Sequence, residues 1–218
     1  VPKNKNPDSI RFLEREVSIM QALDHPNVLK LLDVFEDERF FYLVVELCAG
    51  GELLDRILEL GSFTESLASA LMKQIFSAIA YVHEQGVAHR DLKLENFLLT
   101  KGNVCDETCL LKLADFGLAQ YFRGGTGYLR TAVGSVAYAA PEVVSGKYTS
   151  ACDLWSCGVI LYILLSGKQP FYGTNNKEIF KQAKTGNYSL ADDVWKKVSM
   201  DAQELLAKLL QLVPTQRI

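Results

Sequence analysis

His89-Arg90-Asp91-Leu92-Lys93-Leu94-Glu95-Asn96 brings acidic, cationic and amide side chains together within eight residues. The segment before it, Ala68 to His83, has the spacing of an amphipathic helix, and the segment after it, Phe97 to Leu99, is a short apolar strand. The polar cluster is therefore predicted to lie on a loop between two rigid elements, where catalytic groups are commonly carried.

The side chains of this octapeptide suit phosphoryl transfer. Asp91 can accept the proton of a hydroxyl, Lys93 can neutralise a phosphate, and Asn96 can offer an oxygen to a hard metal ion. A second acid, Asp115, follows the apolar stretch Leu110 to Leu113 and opens an Asp-Phe-Gly tripeptide. A carboxylate at a strand end beside glycine suits Mg²⁺, which takes oxygen ligands and keeps substrate phosphates in its shell.

The bulk properties exclude several classes of protein. The 218 residues suffice for one large domain or two smaller lobes, and a net charge of −3 argues against a nucleic-acid binder. Cys105 and Cys109 could pair or bind zinc, but no second ligand pair is nearby; the odd total of five cysteines favours reduced thiols in a cytoplasmic setting. We expect no signal peptide, and the most apolar run, Leu154 to Leu165, is too short to span a bilayer.

Hydrophobic periodicity predicts a helix, two strands and then a mostly helical remainder. The first helix starts at Ser9 and ends before Asp24, and two apolar strand-like runs follow it, Val28 to Phe35 and Phe40 to Leu47. Further helices are predicted at Glu52–Leu60, Ser150–Leu165, Asn176–Lys184 and Ser199–Leu212.

Three motifs in this order resemble the eukaryotic protein kinase family: the octapeptide, Asp115-Phe116-Gly117 and Ala140-Pro141-Glu142. The resemblance runs from about Ser9 to Ile218. It implies an α+β, bilobal fold, with residues 1–46 as a remnant of the N-lobe (one helix and about two strands). Residues 47–218 would form a mostly helical C-lobe with the catalytic loop and activation segment. It also implies ATP and Mg²⁺ as cofactors.

The resemblance assigns a nucleotide site. Glu16 would be the N-lobe helix acid that pairs with a strand lysine, with Glu14 as the alternative in the same segment. The stretch from Val44 to Gly51 resembles the hinge between lobes, although it could also be a plain edge strand leading into a turn. Val45 would be the gatekeeper, and adenine would hydrogen-bond to the backbone of Glu46 and Cys48. Glu52 would lie near the ribose, and Leu98 would form the apolar floor beneath the base.

The resemblance also assigns the catalytic and metal roles. Asp91 would orient and deprotonate the substrate hydroxyl, Lys93 would stabilise the moving phosphoryl group, and Ser135 would bond to both. Asn96 and Asp115 would hold Mg²⁺. Lysine two residues after Asp91 is the pattern of serine/threonine kinases.

Other residues would hold the activation segment and the C-lobe together. Arg90 suggests an activation segment that an anion can order, with Thr126, Tyr128 and Thr131 as candidate phospho-acceptors; alternatively, none is modified and packing orders the segment. Glu142 would form a buried ion pair with Arg217, and Asp153 would bond back to the catalytic loop.

The run Trp155 to Tyr162, followed by Pro170 to Gly173, resembles the calmodulin-dependent and calcium-dependent branch. Glu52 and Glu95 would favour a basic residue upstream of the target Ser or Thr, or could be solvated acids. A calcium-sensor segment would lie outside this chain, since no EF-hand loop is present. The Gly-rich loop and the strand lysine of the family are also not in this chain, which leaves a kinase-like binding or scaffold module as the alternative function.

Overall fold

The computed structural model describes residues 7–105, 108–122, 128–129, 131 and 133–218. Within these residues the helices are α1 (Pro7–Ala22), α2 (Leu53–Leu60), α3 (Glu65–Glu84), α4 (Ala151–Ser166), α5 (Asn176–Thr185) and α6 (Met200–Leu209). The strands are β1 (Leu31–Glu36), β2 (Phe41–Val45), β3 (Val87–Ala88), β4 (Phe97–Leu99), β5 (Leu111–Leu113) and β6 (Gln120–Tyr121). Short 3-10 helices occur at Leu94–Asn96, Val143–Ser145, Asp193–Lys197 and Pro214–Gln216.

The predicted α+β architecture is confirmed, because α1, β1 and β2 come first and a mostly helical remainder follows. The strands pair in three antiparallel ribbons, β1 with β2, β3 with β6 and β4 with β5. The placement of a lobe boundary near residue 46 stays a prediction.

Helix α4 is the centre of the core. Thirteen of its sixteen residues are buried, as expected for a helix that is apolar on all sides. Gly158 permits α6 to approach closely, since a Cβ there would lie 2.8 Å from a methyl carbon of Leu210 and 2.9 Å from the Cβ of Leu209. Helix α4 therefore forms the rigid element against which α6 packs.

The β4–β5 ribbon brings two distant parts of the sequence together. Phe97 lies opposite Leu113, so the residue before β4, Asn96, lies beside the residues that follow β5. The backbone N–H of Ala114 donates to the carbonyl of Asn96 at 2.8 Å. This register places the end of the octapeptide next to the Asp-Phe-Gly tripeptide.

Some predicted boundaries differ from the structure. The strand-like run from Val28 begins as a strand only at Leu31, because its first residues pair with β5 instead. Leu29 donates to the carbonyl of Leu113, and Leu113 donates to that of Asn27, both at 2.9 Å. Helix α6 ends at Leu209 rather than at 212, and the chain turns there towards Pro214, which cannot continue a helix.

The β1–β2 ribbon exposes a set of large apolar side chains: Leu32, Phe35, Phe40, Tyr42, Val44, Val45 and Leu47. Phe35 lies opposite Tyr42 in the register, and Val44 is on the same face two residues further along β2. Neighbouring exposed apolar side chains of this kind indicate a surface that another element or molecule covers. No helix in the described part of the chain is long and apolar enough to cross a membrane.

Candidate active site

The octapeptide is anchored to α4 through one buried carboxylate. Oδ2 of Asp153 accepts the backbone N–H of His89 at 2.9 Å and lies 2.8 Å from Nε2 of His83, while Oδ1 accepts the N–H of Arg90 at 2.8 Å. Asp153 is only 1% exposed. Burial by itself raises its pKa, but the hydrogen bonds and charge of His83 and the bond from Arg90 outweigh burial, so the pKa lies below its ordinary value.

Asp91 faces the activation segment and a lysine. Nζ of Lys93 lies 3.1 Å from Oδ2 of Asp91, and the backbone N–H of Ser135 donates to Oδ1 at 2.7 Å. Ser135 therefore reaches Asp91 through its main chain rather than through its hydroxyl. The side-chain amide of Asn96 donates to the carbonyl of Asp91 at 2.9 Å, which leaves the amide oxygen of Asn96 as the atom that could ligate a cation.

Asp115 joins this group from the end of β5, the other strand of the β4–β5 ribbon. The side chain is exposed, and its Oδ1 accepts the N–H of Gly117 at 3.2 Å. Burial lowers the pKa of Lys93, but Asp91, Glu95 and Asp115 all raise it, and the net effect is a raised pKa. Asn96 connects the two motifs, since its side chain donates to the carbonyl of Asp91 and its own carbonyl accepts the N–H of Ala114, the residue before Asp115.

Glu16, and not Glu14, is the α1 acid that is placed beside Asp115. A Cβ built on Gly117 would lie 3.2 Å from Oδ1 of Asp115 and 3.6 Å from Oε2 of Glu16. Burial raises the pKa of Glu16, and the negative charge of Asp115 raises it further. The two carboxylates therefore gain from any cation placed between them or beside them.

The donor set fits Mg²⁺. Among the described residues there is no group of three or more His, Cys, Asp or Glu side chains that could hold a metal on its own. Asp115 and Asn96 instead offer one carboxylate and one amide oxygen, and Mg²⁺ is usually bound by one or two carboxylates together with substrate phosphates and water. Transition metals that prefer nitrogen or sulfur ligands would find none in this set.

Main-chain hydrogen bonds join the hinge stretch to β4. The N–H of Gly50 donates to the carbonyl of Leu99 at 2.8 Å, and that of Leu99 donates to Gly51 at 2.9 Å. Glu52 forms an isolated bridge with Leu98, so the predicted ribose contact and the predicted floor of the base are neighbours. The hinge stretch therefore lies beside the last two residues of β4, Leu98 and Leu99.

Lys112 in β5 forms an ion pair with Glu46 of the hinge stretch. This residue was not identified from the sequence. Its Nζ lies 2.8 Å from Oε1 of Glu46, which also accepts the N–H of Lys30 at 2.8 Å. Lys112 is buried, and a lysine between two leucines of a short strand was the signal that could have identified it. Burial raises the pKa of the Cys48 thiol, the charge of Glu46 raises it further, and Lys112 opposes both.

Arg90 finds neutral partners. Its Nε donates to the carbonyl of Leu118 at 2.7 Å, and its Nη1 donates to the hydroxyl of Tyr148 at 3.1 Å. Arg90 and Asp115 are also the two non-glycine residues with positive φ in the described chain, at 71° and 61°. Among the candidate phospho-acceptors, Tyr128 and Thr131 are exposed, and Thr126 lies outside the described residues.

The Ala-Pro-Glu motif is joined to the segment after α6. Arg217 binds both carboxylate oxygens of Glu142, with Nη2 at 2.9 Å from Oε2. The same guanidinium donates to the carbonyl of Ala151 at 3.0 Å and lies over the ring of Trp155. The predicted ion pair is thus present at the start of α4.

Comparison with known proteins identifies the family. Residues 1–218 match the family described as protein kinase domain. Calcium-dependent protein kinase 3 of Plasmodium berghei is 44% identical over 218 residues, which are 100% of this chain and 39% of that protein. Calcium-dependent protein kinase 5 of Plasmodium falciparum is 44% identical over 216 residues, 99% of this chain and 37% of that protein.

Calcium-dependent protein kinase 4 of Plasmodium berghei is 43% identical over 206 residues, 94% of this chain and 38% of that protein. The chain therefore spans about two fifths of the length of these curated relatives. The full-length match agrees with the resemblance drawn from the three motifs. The chain belongs to the protein kinase family, in the serine/threonine branch that contains the calcium-dependent protein kinases.

Proposed function

We propose that this chain transfers the γ-phosphoryl group of ATP to Ser or Thr hydroxyls of proteins, as part of a cytoplasmic kinase in calcium-linked signalling. The observation that carries the proposal is the convergence of Asp91, Lys93, Asn96 and Asp115 on one side of the β4–β5 ribbon. Phosphoryl transfer depends mainly on positioning and electrostatic stabilisation, and this group supplies both.

Asp91 is proposed to orient the attacking hydroxyl and accept its proton. Its carboxylate is fixed by the N–H of Ser135 and by Lys93, and the backbone beneath it is fixed by Asn96. A base held at both oxygens presents a defined lone pair to an incoming hydroxyl. Lys93 forms an ion pair with the same carboxylate, and its ammonium group can stabilise the negative charge on the phosphoryl group during transfer.

The hinge is proposed to bind adenine through the backbone of Glu46 and Cys48, beside the gatekeeper Val45. The ion pair between Lys112 and Glu46 keeps the side chain of Glu46 turned towards β5. The main-chain N–H of Glu46 donates to the carbonyl of Lys30 at 3.0 Å, so its carbonyl oxygen is the atom proposed to bind adenine. Mg²⁺ held by Asn96 and Asp115 would neutralise the charge of the bound phosphates. Glu16 would orient the lysine that the family places on a strand upstream of this chain's α1.

A basic residue upstream of the target Ser or Thr is proposed to meet Glu95 and Glu52. Oε2 of Glu95 is buried and has no hydrogen-bond partner among the described residues, while burial and then the Glu95 charge raise the pKa of the neighbouring Tyr138 hydroxyl. A buried carboxylate oxygen without a donor gains from a guanidinium or ammonium group. Glu95 therefore supports a basic residue in the substrate better than it supports a solvated surface acid.

The test compares three proteins in Mg-ATP phosphorylation of a Ser peptide with basic residues upstream. These are this chain, its Asp91→Ala variant, and a form extended upstream to supply a Gly-rich loop and a strand lysine. We expect transfer by the extended form and a loss of about 10²–10⁴-fold when Asp91→Ala is introduced into it. Equal signal with and without Asp91 would contradict the proposal and would favour the binding or scaffold alternative.

A further inference from the structure

Tyr148 lies between the catalytic loop and the activation segment and is bonded to both. Its hydroxyl accepts a hydrogen bond from Nη1 of Arg90 at 3.1 Å and donates one to the carbonyl of Thr131 at 2.6 Å. Its backbone exchanges two hydrogen bonds with Leu129, at 2.8 Å and 3.2 Å. One residue outside the catalytic motifs thus holds the activation segment by its main chain and by its side chain.

The bridge satisfies a charge that would otherwise be costly. Arg90 is buried, and a buried guanidinium without acceptors is strongly unfavourable. The Tyr148 hydroxyl is one acceptor for it and the carbonyl of Leu118 is another. A hydroxyl can accept and donate a hydrogen bond at the same time. The bond from Arg90 therefore polarises the Tyr148 hydroxyl and strengthens the bond that it donates to the Thr131 carbonyl.

The Tyr148 hydroxyl keeps its proton in this position. Burial raises its pKa, which outweighs the opposing charge and hydrogen bond of Arg90. The protonated form is the one that can donate to Thr131. The bridge is therefore intact throughout the neutral range of pH.

A second contact between the same two segments lies four residues further along. A Cβ at Gly134 would lie 2.5 Å from the carbonyl oxygen of Arg90, and the N–H of Ser135 donates to Asp91. The activation segment therefore meets the catalytic loop at Thr131 and again at Gly134 and Ser135. Displacing the first contact would loosen the second, which touches the proposed base.

We propose that Tyr148 is a positioning residue that holds the activation segment against the catalytic loop through an uncharged hydrogen-bond bridge. The segment is then in place at Thr131 without a phosphate there, since Arg90 already has partners. This inference deepens the proposed function by naming how that site is kept in order, and its kinetic readout rests on the proposed function. The bridge itself can be tested without any catalysis.

The first experiment is hydrogen exchange on this chain with Tyr148→Phe. The variant keeps the ring and removes the hydroxyl, and we expect about tenfold less protection of the Leu129 amide. The matched control is Tyr128→Phe, which removes the hydroxyl of an exposed tyrosine in the same segment. In this control we expect the protection of the Leu129 amide to change less than twofold. The Ile160 amide in α4 reports whether the fold is intact. Unchanged protection of Leu129 in a folded Tyr148→Phe variant would overturn the proposal.

The second experiment uses the upstream-extended form and peptide kinetics. Tyr148→Phe is expected to lower kcat about tenfold with the KM for ATP unchanged, and adding Thr131→Glu is expected to restore it by giving Arg90 an anion. Thr131→Glu alone should change kcat less than twofold, because the bridge already holds the activation segment in place. A gain in kcat of tenfold or more in this single variant would overturn the proposal, and that test remains valid even if Tyr148→Phe fails to fold. If transfer does not depend on Asp91, the proposed function fails, while the exchange result stands independently.

Discussion

Glu142 and Arg217 are 75 residues apart in the sequence and form a two-pronged ion pair, with Nη2 2.9 Å from Oε2. The Arg217 side chain is 0% exposed, and that of Glu142 is 13% exposed. The pair connects the segment after α6 to the segment that precedes α4, so it links two parts of the helical core that are distant in the sequence.

Replacing Arg217 by alanine should therefore be strongly destabilising. It leaves the Glu142 carboxylate buried without its partner, and breaking one side of a buried pair costs about 3–5 kcal/mol. Urea denaturation followed by tryptophan fluorescence would measure the loss, since Arg217 lies over Trp155. The control is Lys168→Ala, which removes an exposed pair with Asp192 and should cost far less than Arg217→Ala, because solvent screens an exposed pair. Similar costs for the two variants would refute the role given to the buried pair.

Asp153→Asn should weaken the catalytic loop and make the protein less sensitive to acid. The pKa of Asp153 is lowered on folding, so its carboxylate contributes stability above its unfolded pKa of about 4, and that contribution is lost as pH falls through the folded value. The stability difference between wild type and variant should be full at pH 6 and shrink below about pH 4. A difference that stays constant from pH 6 to pH 3 would show that the charge of Asp153 is not what matters.

His89 predicts a second, separate pH dependence. Burial lowers its pKa, although Asp153, Asp91 and Asp115 oppose that shift. The unfolded chain therefore binds a proton that the folded chain does not, and stability falls as pH decreases below the unfolded pKa of about 6.5. His89→Gln should flatten the stability profile between about pH 7 and pH 5, as followed by thermal unfolding. Identical slopes for the two proteins would contradict this.

Lys112 and Glu46 should show coupling in a double-mutant cycle. Lys112→Met leaves a half-buried carboxylate without its cation, and Glu46→Gln leaves a buried ammonium with only a neutral oxygen. We expect each single change to cost about 1–3 kcal/mol of unfolding free energy, and a coupling energy of about 1–2 kcal/mol. Strictly additive costs would mean that the two groups act independently, against the ion pair.

Gly134→Ala should separate the activation segment from the catalytic loop. Gly134 has φ of 101°, and an added Cβ would meet the Arg90 carbonyl oxygen at 2.5 Å. Strain of about 1–3 kcal/mol corresponds to roughly 5- to 150-fold lower peptide phosphorylation in the upstream-extended form. Gly102→Ala is the matched control, because nothing lies within 4 Å of its Cβ position. Equal activity of the two variants would argue against the close approach at Gly134.

The motif residues could be predicted from the sequence because each motif is local. Asp91, Lys93 and Asn96 lie within six positions, and the apolar stretch before Asp115 predicted a strand that ends at it. Glu142 and Arg217 were paired by resemblance. What joins the motifs in space is a strand register, Phe97 opposite Leu113. Strands of three residues that are apolar at nearly every position carry too little alternation to specify that register from the sequence.

The residues that were missed act through partners far away in the sequence. Lys112 acts on Glu46, and Tyr148 acts on Arg90 and Thr131. The two leucines beside Lys112 mark it as unusual, but nothing local in the sequence identifies the partner of either residue. Ser135 illustrates a related limit: its side chain suggested a hydroxyl contact, whereas the contact is made by a backbone N–H that every residue but proline carries. The sequence predicts which groups are available more readily than which atoms meet.

Arg90 and Asp115 are both held in the left-handed backbone region, at φ of 71° and 61°. A residue with a side chain loses about 1–2 kcal/mol there relative to glycine. Glycine at either position would therefore relax the chain, yet it would delete the guanidinium or the carboxylate. Selection for heat resistance alone would favour glycine at Asp115, whose side chain is exposed, so a thermostable descendant with glycine there would be expected to fold well and to be inert. Glycine at Arg90 would also delete the hydrogen bonds to Leu118 and Tyr148.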